Sequence, residues 1–350
     1  MLFRYILFHY MKNMLIILIA LSGLFAGLDF LMNASFLPSF NIKVLYVFSK
    51  WQEALGLLYP LAIIFGGIWT KIAFIKKNTI GALYALGVSR VELFKPFFAL
   101  SLVVYLLFTG LNFTSFATAN ETAYMLKENT YGSQKTEDMF FKYNNSFVYV
   151  ELLIPYEHRM ENLTLFRLKE GKVYEVQHAK EAHFTGNEWL AKDVIRKVKV
   201  WEQGSPKLKI EHLDQLSTLK GYRPEILNSI YEDKHLTLYE SFMAYRLLSS
   251  QGVGTFKIRA DIYAKAIMPL FSIALLMILL FRFPFHARYM NVGMTTVKAL
   301  GGTLFVWGVL FALQQMGAND VLAPELATPL PIALLWIYAI HTLQASKNRI

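Results

Sequence analysis

Long runs without a charged residue constrain the fold of this chain more than any other feature. Residues 96–120 and 299–319 contain no Asp, Glu, Lys or Arg. At ~1.5 Å per helical residue, each run can cross the roughly 30 Å hydrocarbon core of a bilayer. Four shorter apolar runs, flanked by basic or interfacial aromatic residues, complete a set of six predicted spans: 13–28, 54–70, 266–281 and 326–340.

The net charge of +10 resides in the apolar part of the chain. Residues 121–250 contain 18 basic and 19 acidic residues, whereas the remaining residues contain 17 and 6. A basic surplus confined to the ends of apolar spans indicates a membrane protein and gives no support to nucleic-acid binding. The composition agrees, since 55% of the residues are hydrophobic and only 17% are charged.

Basic residues are unevenly distributed between the two ends of the predicted spans. One set of ends carries twelve: Arg4, Lys12, Lys71, Lys76, Lys77, Arg90, Lys95, Arg282, Arg288, Lys298, Lys347 and Arg349. The other set carries five: Lys43, Lys50, Lys257, Arg259 and Lys265. The positive-inside rule then predicts that both termini and residues 76–90 are cytoplasmic and that residues 120–260 are extracytoplasmic. A cleaved signal peptide is the alternative for the N-terminal run.

The segment between the third and fourth spans predicts a β domain. Short alternating runs lie at 146–153, 163–168, 172–176, 181–184, 193–201, 207–213 and 216–222. Turn residues separate them at spacings of about 8 to 12 residues, which is typical of a sandwich, jelly roll or barrel. Arg196–Lys197 interrupts the alternation and indicates a bulge. With no cysteine in the chain, this domain has no disulfides. The T-x-x-E pattern at Thr237 and Glu240 predicts a helix over 237–251.

Motifs for catalysis are missing from the sequence. The stretch "GSQKT" at 132–136 lacks the spacing of a nucleotide-binding P-loop. Four histidines of the β segment, His158, His178, His183 and His212, are not spaced as metal ligands. The sequence therefore gives little support to an enzymatic function, and it predicts no metal or cofactor for this chain.

Three features remain as candidate functional elements. Asp29 lies near the outer end of span one, where it either reaches the interface or lines a wet cavity. The outer cations, Lys257, Arg259 and Lys265, either anchor the chain at the interface or contact an anionic head group. The stretch 76–90, "KKNTIGALYALGVSR", predicts a short amphipathic helix that either lies on the membrane surface or docks a cytoplasmic partner.

Three spans, a β insert and three further spans follow one another in this chain, with the step "ALGVSR" at 85–90 between spans two and three. In this order and this step the chain resembles the lipopolysaccharide export permease family LptF/LptG. Four further stretches are closer to LptG: "NNSFVYVE" (144–151), "LTLYESFMAYRLLSSQG" (236–252), "AKAIMPLFSIALLMILLF" (264–281) and "QQMGANDVLAPELATPLPIALLWIY" (314–338). The implied fold is a six-span helical membrane protein with a periplasmic jellyroll-like domain. Its predicted parts are 1–120, 121–255 and 256–350.

The resemblance also implies a function and partners. Family members form half of a heterodimeric inner-membrane permease, pair with an LptB ATPase dimer that uses the ATP, and pass lipopolysaccharide to the periplasmic proteins LptC and LptA. The helix between spans two and three, at 77–88, corresponds to the coupling helix. Its predicted contact residues are Lys77, Thr79, Ile80, Leu83, Tyr84, Val88 and Arg90.

Two departures from the family pattern change the expected contacts. Thr79 occupies the place where the family commonly has an acidic residue, so the sequence predicts ATPase contact through Ile80, Leu83, Tyr84 and flanking cations. Ala26 and Gly27 lie near the place of a basic residue of LptG-like chains, which moves the predicted head-group contact to the outer cations. The predicted apolar wall of the lipid cavity comprises Phe25, Phe30, Phe305, Trp307 and Phe311.

Two other functions stay open. A mechanotransmitting ABC permease would move no substrate through itself, although such chains usually have four spans. A membrane-anchored scaffold would use its β domain to bind a periplasmic partner without moving lipid.

Overall fold

Twelve helices and six strands occupy the described part of the chain, in the order three long helices, a sheet and further long helices. A computed structural model describes residues 1–128, 135–144, 146–202, 205–232, 236–252, 254–283 and 291–347. It divides into two units, Met1–Ala123 with Phe256–Ile350, and Tyr124–Thr255. Arg288 and Arg349, counted above among the basic span ends, lie outside the described residues.

The helices are numbered in chain order. They are α1 (Leu2–Asn33), α2 (Phe40–Lys76), α3 (Thr79–Ala85), α4 (Arg90–Leu111), α5 (Ala119–Lys127), α6 (Pro224–Glu232), α7 (Leu238–Ser250), α8 (Phe256–Ala266), α9 (Leu270–Arg282), α10 (Val292–Ala318), α11 (Pro324–Ala327) and α12 (Pro329–Lys347). Short 3₁₀ turns lie at Ala34–Phe36, Ser115–Thr118 and Pro155–Glu157.

Within the described ranges, five segments are long and apolar enough to cross a membrane: Leu2–Phe36, Phe40–Lys76, Arg90–Leu111, Val292–Ala318 and Pro324–Ala345. The pair α8 and α9 passes the same test together and bends by 43°, which gives up to six spans. The bend lies next to Pro269, where the proline ring prevents a continuous helical hydrogen-bond ladder.

Two boundaries differ from the sequence prediction. The third span was expected to reach residue 120, but α4 ends at Leu111, and a 3₁₀ turn at Ser115–Thr118 follows. The second span was predicted at 54–70, but α2 begins at Phe40, so residues 40–53 belong to the same helix. In both places a side-chain cap sets the boundary: Ser39 accepts from the Ile42 N–H, and Thr114 accepts from the Phe116 N–H.

Small residues let the long helices approach closely. A Cβ added to Gly66 of α2 would lie 2.7 Å from the Cα of Met14 in α1. On the other side of α2, a Cβ on Gly67 would lie 2.4 Å from Leu276 of α9. Polar contacts join the same helices: Asn13 donates to Thr70 at 2.8 Å, and the Tyr10 hydroxyl lies 2.8 Å from Ser101 of α4. Close packing and interhelical hydrogen bonds are the usual stabilising contacts between membrane helices.

The β unit contains one antiparallel sheet whose spatial order, β1 to β6, follows the sequence. Its strands are β1 (Thr136–Tyr143), β2 (Ser146–Ile154), β3 (Arg159–Lys169), β4 (Lys172–Phe184), β5 (Trp189–Glu202) and β6 (Ser205–Thr218). The predicted fold class is confirmed as a helical membrane protein with an inserted β domain. The prediction missed β1 and divided both β4 and β6 into two shorter strands.

The predicted bulge at Arg196–Lys197 is wrong. Both residues pair in unbroken register with β6, Arg196 opposite Glu211 and Lys197 opposite Ile210. The register shift near this end of the sheet lies instead at Arg167/Leu168 in β3. Arg196 breaks the apolar alternation because its guanidinium binds carboxylates of neighbouring strands, as described below.

One face of the sheet carries the core of the β unit. Trp189 is fully buried and donates its indole N–H to the Tyr222 carbonyl at 2.6 Å. Apolar side chains from every strand pack around it, including Met139, Val150 and Leu163. α7 has the predicted capping box, in which Thr237 accepts from the Glu240 N–H at 3.2 Å and Glu240 accepts from the Thr237 N–H at 2.8 Å.

Candidate functional site

The turn that joins α2 to α4 is a compact element with defined ends. Asn78 has a left-handed backbone with φ of 55° and occupies the N-cap position of α3 without a side-chain cap hydrogen bond. At the other end Gly87 has φ of +81°, the Val88 N–H donates to the Leu83 carbonyl at 3.1 Å, and the Gly87 N–H donates to the Tyr84 carbonyl at 2.9 Å. These two bonds form a Schellman motif, which explains the glycine of the "ALGVSR" step. Ser89 then caps α4 in a capping box with Glu92.

The apolar side of α3 faces its own helices. Ile80 is fully buried and belongs to the core of the membrane unit, and Leu83 and Tyr84 pack against the same core. Within this chain the Ile80 side chain is covered by the membrane core, and its contact with a partner stays a prediction. The outward surface of the turn contains Leu86, which is 79% exposed, and the exposed cation Lys77. The sequence shows that α3 has an apolar stripe, but it does not show which helices pack against that stripe. It therefore could not show that Ile80 is buried while Leu86 is exposed.

Tyr84 and Arg90 stabilise the base of the turn. Both are half-buried, as are Thr79 and Val88. Burial raises the pKa of Tyr84 to about 12, against the opposing effect of the Arg90 guanidinium and its hydrogen bond to the phenol. Arg90 thus contacts a residue of the same turn.

The outer cations are engaged with nearby groups of the membrane unit. Arg259 binds Glu325 of α11 at 2.5 Å, and Tyr263 donates to the same carboxylate at 3.1 Å. Lys265 binds Asp261 at 2.6 Å, one helical turn earlier in α8. An anionic head group could therefore reach Arg259 or Lys265 only by competing with a carboxylate of the chain. Lys257 lies at the start of α8 on the same side of the bend.

Asp29 is paired rather than solvated. Tyr46 donates its hydroxyl to the Asp29 carboxylate, and Lys50 lies 3.9 Å from it. Lys50 also donates to Glu53 and Asn120, each at 2.8 Å. The half-buried Asp29 carboxylate, with its hydroxyl and ammonium partners, thus belongs to a polar network that links α1, α2 and α5. The structure therefore assigns Asp29 to a packing network, an option that the sequence had not supplied.

The aromatic residues predicted to line a lipid cavity lie on two helices, α1 and α10, and their role stays a prediction. Phe25 and Phe30 are half-buried on α1, which packs on α2 and α4. On α10, Trp307 contacts Phe311 with ring centroids 6.0 Å apart, whereas Phe305 is 73% exposed. Residues i and i+2 of an α-helix are about 200° apart around the helix axis, so Phe305 and Trp307 lie on opposite sides of α10. In the single chain, Phe305 and Phe311 lie on exposed apolar surface.

Lys71 is a buried polar residue that the sequence analysis counted only as a basic span end. It is 1% exposed and lies where α2 passes the carboxyl end of α9. Its Nζ donates to the Leu280 carbonyl at 2.6 Å and to the Phe283 carbonyl at 3.0 Å, and it lies 5.6 Å from the Phe94 ring of α4. Lys71 therefore joins α2, α4 and α9 just before the turn at α3. Its place among apolar residues, "GIWTKIAF", was the available signal.

A charged network crosses the sheet of the β unit. Glu175 of β4 is buried and accepts from Arg196 at 2.5 Å and from Gln177 at 2.6 Å, while Arg167 lies 3.7 Å away. Arg196 also donates to Glu211 at 3.0 Å. Burial of Glu175 opposes its ionisation, but these hydrogen bonds and nearby guanidinium charges outweigh it and lower its pKa. The network stabilises β3 to β6.

Comparison with known proteins gives one finding for the whole chain. The family profile described as "Lipopolysaccharide export system permease LptF/LptG" matches residues 4–345. No individual curated protein is similar enough to match. The profile covers LptF and LptG together, so the preference for LptG stays a prediction.

Proposed function

Because this chain belongs to the lipopolysaccharide export permease family LptF/LptG, we propose that it is one half of an ATP-driven permease that extracts lipopolysaccharide from the inner membrane. The chain itself is a non-catalytic transport component. In the proposal, an LptB-like ATPase dimer supplies the energy, an LptF-like chain forms the other half, and LptC-like and LptA-like proteins receive the lipid. Both termini lie in the cytoplasm and the β unit in the periplasm, as the uneven distribution of basic residues predicts.

The match over residues 4–345 is the observation that carries the proposal. The α2–α4 turn supports its mechanical part, because a coupling element must present a rigid surface to a moving partner. The Schellman motif and the Ser89–Glu92 capping box fix the backbone of the turn, and Ile80 fixes α3 to the membrane core. Lys71 lies about two helical turns before α3, on α2, and its amino group donates to a carbonyl of α9. In the proposal, a displacement of α3 is therefore transmitted through packed contacts to α2 and α9.

Lipid passage needs apolar walls and a few cations at head-group height. The exposed apolar sides of α1 and α10 supply the walls in the proposal, completed by the second half of the permease. The outer cations supply the head-group contacts, with phosphate displacing Glu325 from Arg259 or Asp261 from Lys265. In the proposal, the two edge strands of the described sheet, β1 and β6, offer backbone groups to the next β domain of the lipid path.

Co-purification tests the ATPase contact. The chain is recovered from membranes with an affinity tag, as wild type and as Leu86→Glu, and ATPase subunits in the eluate are quantified. A carboxylate buried at an apolar contact costs several kcal/mol of binding free energy. We therefore expect at least ~10-fold less ATPase to co-purify with Leu86→Glu than with the wild-type chain. Val321→Glu is the matched control, since Val321 is 67% exposed in the turn between α10 and α11.

Two results would contradict the proposal. Recovery of the wild-type chain without any ATPase subunit would remove the energy source. Equal ATPase recovery by Leu86→Glu and Val321→Glu would show that the outward side of the α2–α4 turn is not the docking surface.

A further inference from the structure

The second helix of the β unit that follows the sheet, α7, has an unusual outward face. Its inward stripe, Leu238, Ser241, Ala244 and Leu248, is buried. The opposite side presents Tyr239, Phe242, Met243 and Tyr245 around Arg246. Phe242 is 51% exposed and Tyr239 45% exposed.

These side chains form one continuous surface. Together with Ser249 and Ser250 they line a groove of about 630 Å³ on the outward side of the helix. Residues three and four apart share a helical face, so Tyr239, Phe242, Met243 and Arg246 lie side by side. We call this set of four residues the α7 face. Contiguous exposed apolar surface of this kind marks a place where something binds.

We propose that the α7 face rests on the surface of the lipid bilayer, on the side of the β unit, and contacts anionic head groups through Arg246. Tyrosine and arginine are residues that place an apolar body in the interface and keep a polar tip in water. The acidic residue of the helix, Glu240, caps the amino end and lies outside the α7 face. The charge of the face is therefore positive, which complements an anionic lipid.

The position of α7 in the sequence favours lipid over a protein partner. Ser250 ends the helix, and Phe256 begins the bent pair that forms a candidate span, so only residues 251–255 intervene. Five residues reach at most ~20 Å when fully extended. An amphipathic helix with aromatic residues on one side and a cation among them, this close in sequence to a span, has the properties of an interfacial helix. The inference does not depend on which lipid the chain transports.

Site-directed fluorescence tests the inference in the full chain. The chain has no cysteine, so single cysteines introduced at Phe242 and Met243 carry the only label. The labelled chain is reconstituted in vesicles of phosphatidylethanolamine and phosphatidylglycerol. The environment-sensitive dye is quenched either by lipids that carry a nitroxide near the head group or by aqueous iodide. Lys180→Cys, on an exposed position of β4, is the matched control.

We expect both α7 labels to be quenched by the lipid nitroxide about threefold more than the Lys180 label, and to be protected from iodide. In the same vesicles, Arg246→Gln should shift the ratio of docked to undocked α7 by about fivefold, whereas Arg246→Lys should leave it nearly unchanged. The ratio of docked to undocked α7 is measured from the amplitudes of the two fluorescence lifetimes of the dye attached at position 242.

Either of two outcomes overturns the inference. Iodide quenching of all three labels to the same extent would show that the α7 face is open to water. Protection of the α7 labels from both quenchers would show that protein, and not lipid, covers the face. The variants keep the buried stripe of α7 intact, and native secondary structure by circular dichroism confirms that each chain is folded.

Discussion

Replacing Lys71 by methionine should destabilise the membrane unit more than any other single change to a basic residue of α2. The Lys71 amino group donates to the carbonyls of Leu280 and Phe283 at 2.6 and 3.0 Å, and the side chain is 1% exposed. Methionine has a similar length and is apolar, so it fills the space but donates no hydrogen bond. Both carbonyls, at the carboxyl end of α9, then lose a donor in a place that water does not reach easily.

The magnitude follows from those two carbonyls. A buried acceptor left without a donor costs about 1–3 kcal/mol, so two of them cost about 2–6 kcal/mol. Burying the thioether in place of the amine recovers about 1–2 kcal/mol of apolar transfer free energy. The difference between these two ranges is about 0–5 kcal/mol, so we expect the free energy of unfolding to fall by about 2.5 kcal/mol, the midpoint. Lys76→Met is the matched control on the same helix, because Lys76 is exposed, and surface changes usually stay within about 0.5 kcal/mol.

Reversible unfolding in mixed micelles of dodecyl sulfate and a mild detergent, followed by far-UV circular dichroism, measures both variants. If Lys71→Met and Lys76→Met unfold at the same detergent fraction, the two carbonyl contacts contribute nothing to stability. The reasoning that places Lys71 at the joint of α2 and α9 would then be refuted.

Two further predictions concern the packing of α1 on α2 and the ionic network of the sheet. Gly66→Ala should lower the free energy of unfolding by about 1–3 kcal/mol, because the new Cβ would lie 2.7 Å from the Met14 backbone. At Gly23 a new Cβ meets nothing within 4 Å, so Gly23→Ala should raise the free energy of unfolding by up to about 1 kcal/mol in the same micelle assay. Glu175→Gln should cost about 2–4 kcal/mol at pH 7, since it leaves Arg196 without its buried partner, whereas Glu137→Gln on an exposed position should cost little. The folded-state pKa of Glu175 is lowered, so its contribution is present above the unfolded-state value of about 4.3 and is lost as the pH falls through the folded-state value. Near-UV circular dichroism during denaturant unfolding should therefore show a difference between Glu175→Gln and wild type that shrinks from pH 7 to pH 3, and a constant difference would contradict this assignment.

Apolar runs predicted the spans well because hydrocarbon imposes a length and a composition on any crossing helix. They overestimated the third span, since an uncharged run such as 112–120 can also form a turn once Thr114 caps a 3₁₀ segment. β1 was missed because "TEDMFFKY" lacks regular alternation and Asp138 has a left-handed backbone with φ of 51°. Alternation is the signal on which strand prediction rests.

The candidate site was less predictable because it depends on contacts between distant residues. A helical wheel identifies the apolar stripe of α3, but it cannot tell that Ile80 packs inward while Leu86 points outward. Arg259 and Glu325 lie 66 residues apart, so the sequence offered the cation without its carboxylate. Lys71 was treated as a snorkelling span end, and only the packing of α9 against α2 shows why its side chain remains buried.

Export of lipopolysaccharide is the central claim, and depletion of the chain in its own cells tests it most directly. Expression is shut off, and newly made lipopolysaccharide at the cell surface is measured over time by pulse labelling. The account predicts that surface delivery stops as the chain is lost and that the labelled lipid accumulates in the inner membrane. Continued surface delivery at the normal rate after the chain has disappeared would contradict the account and would favour a scaffold.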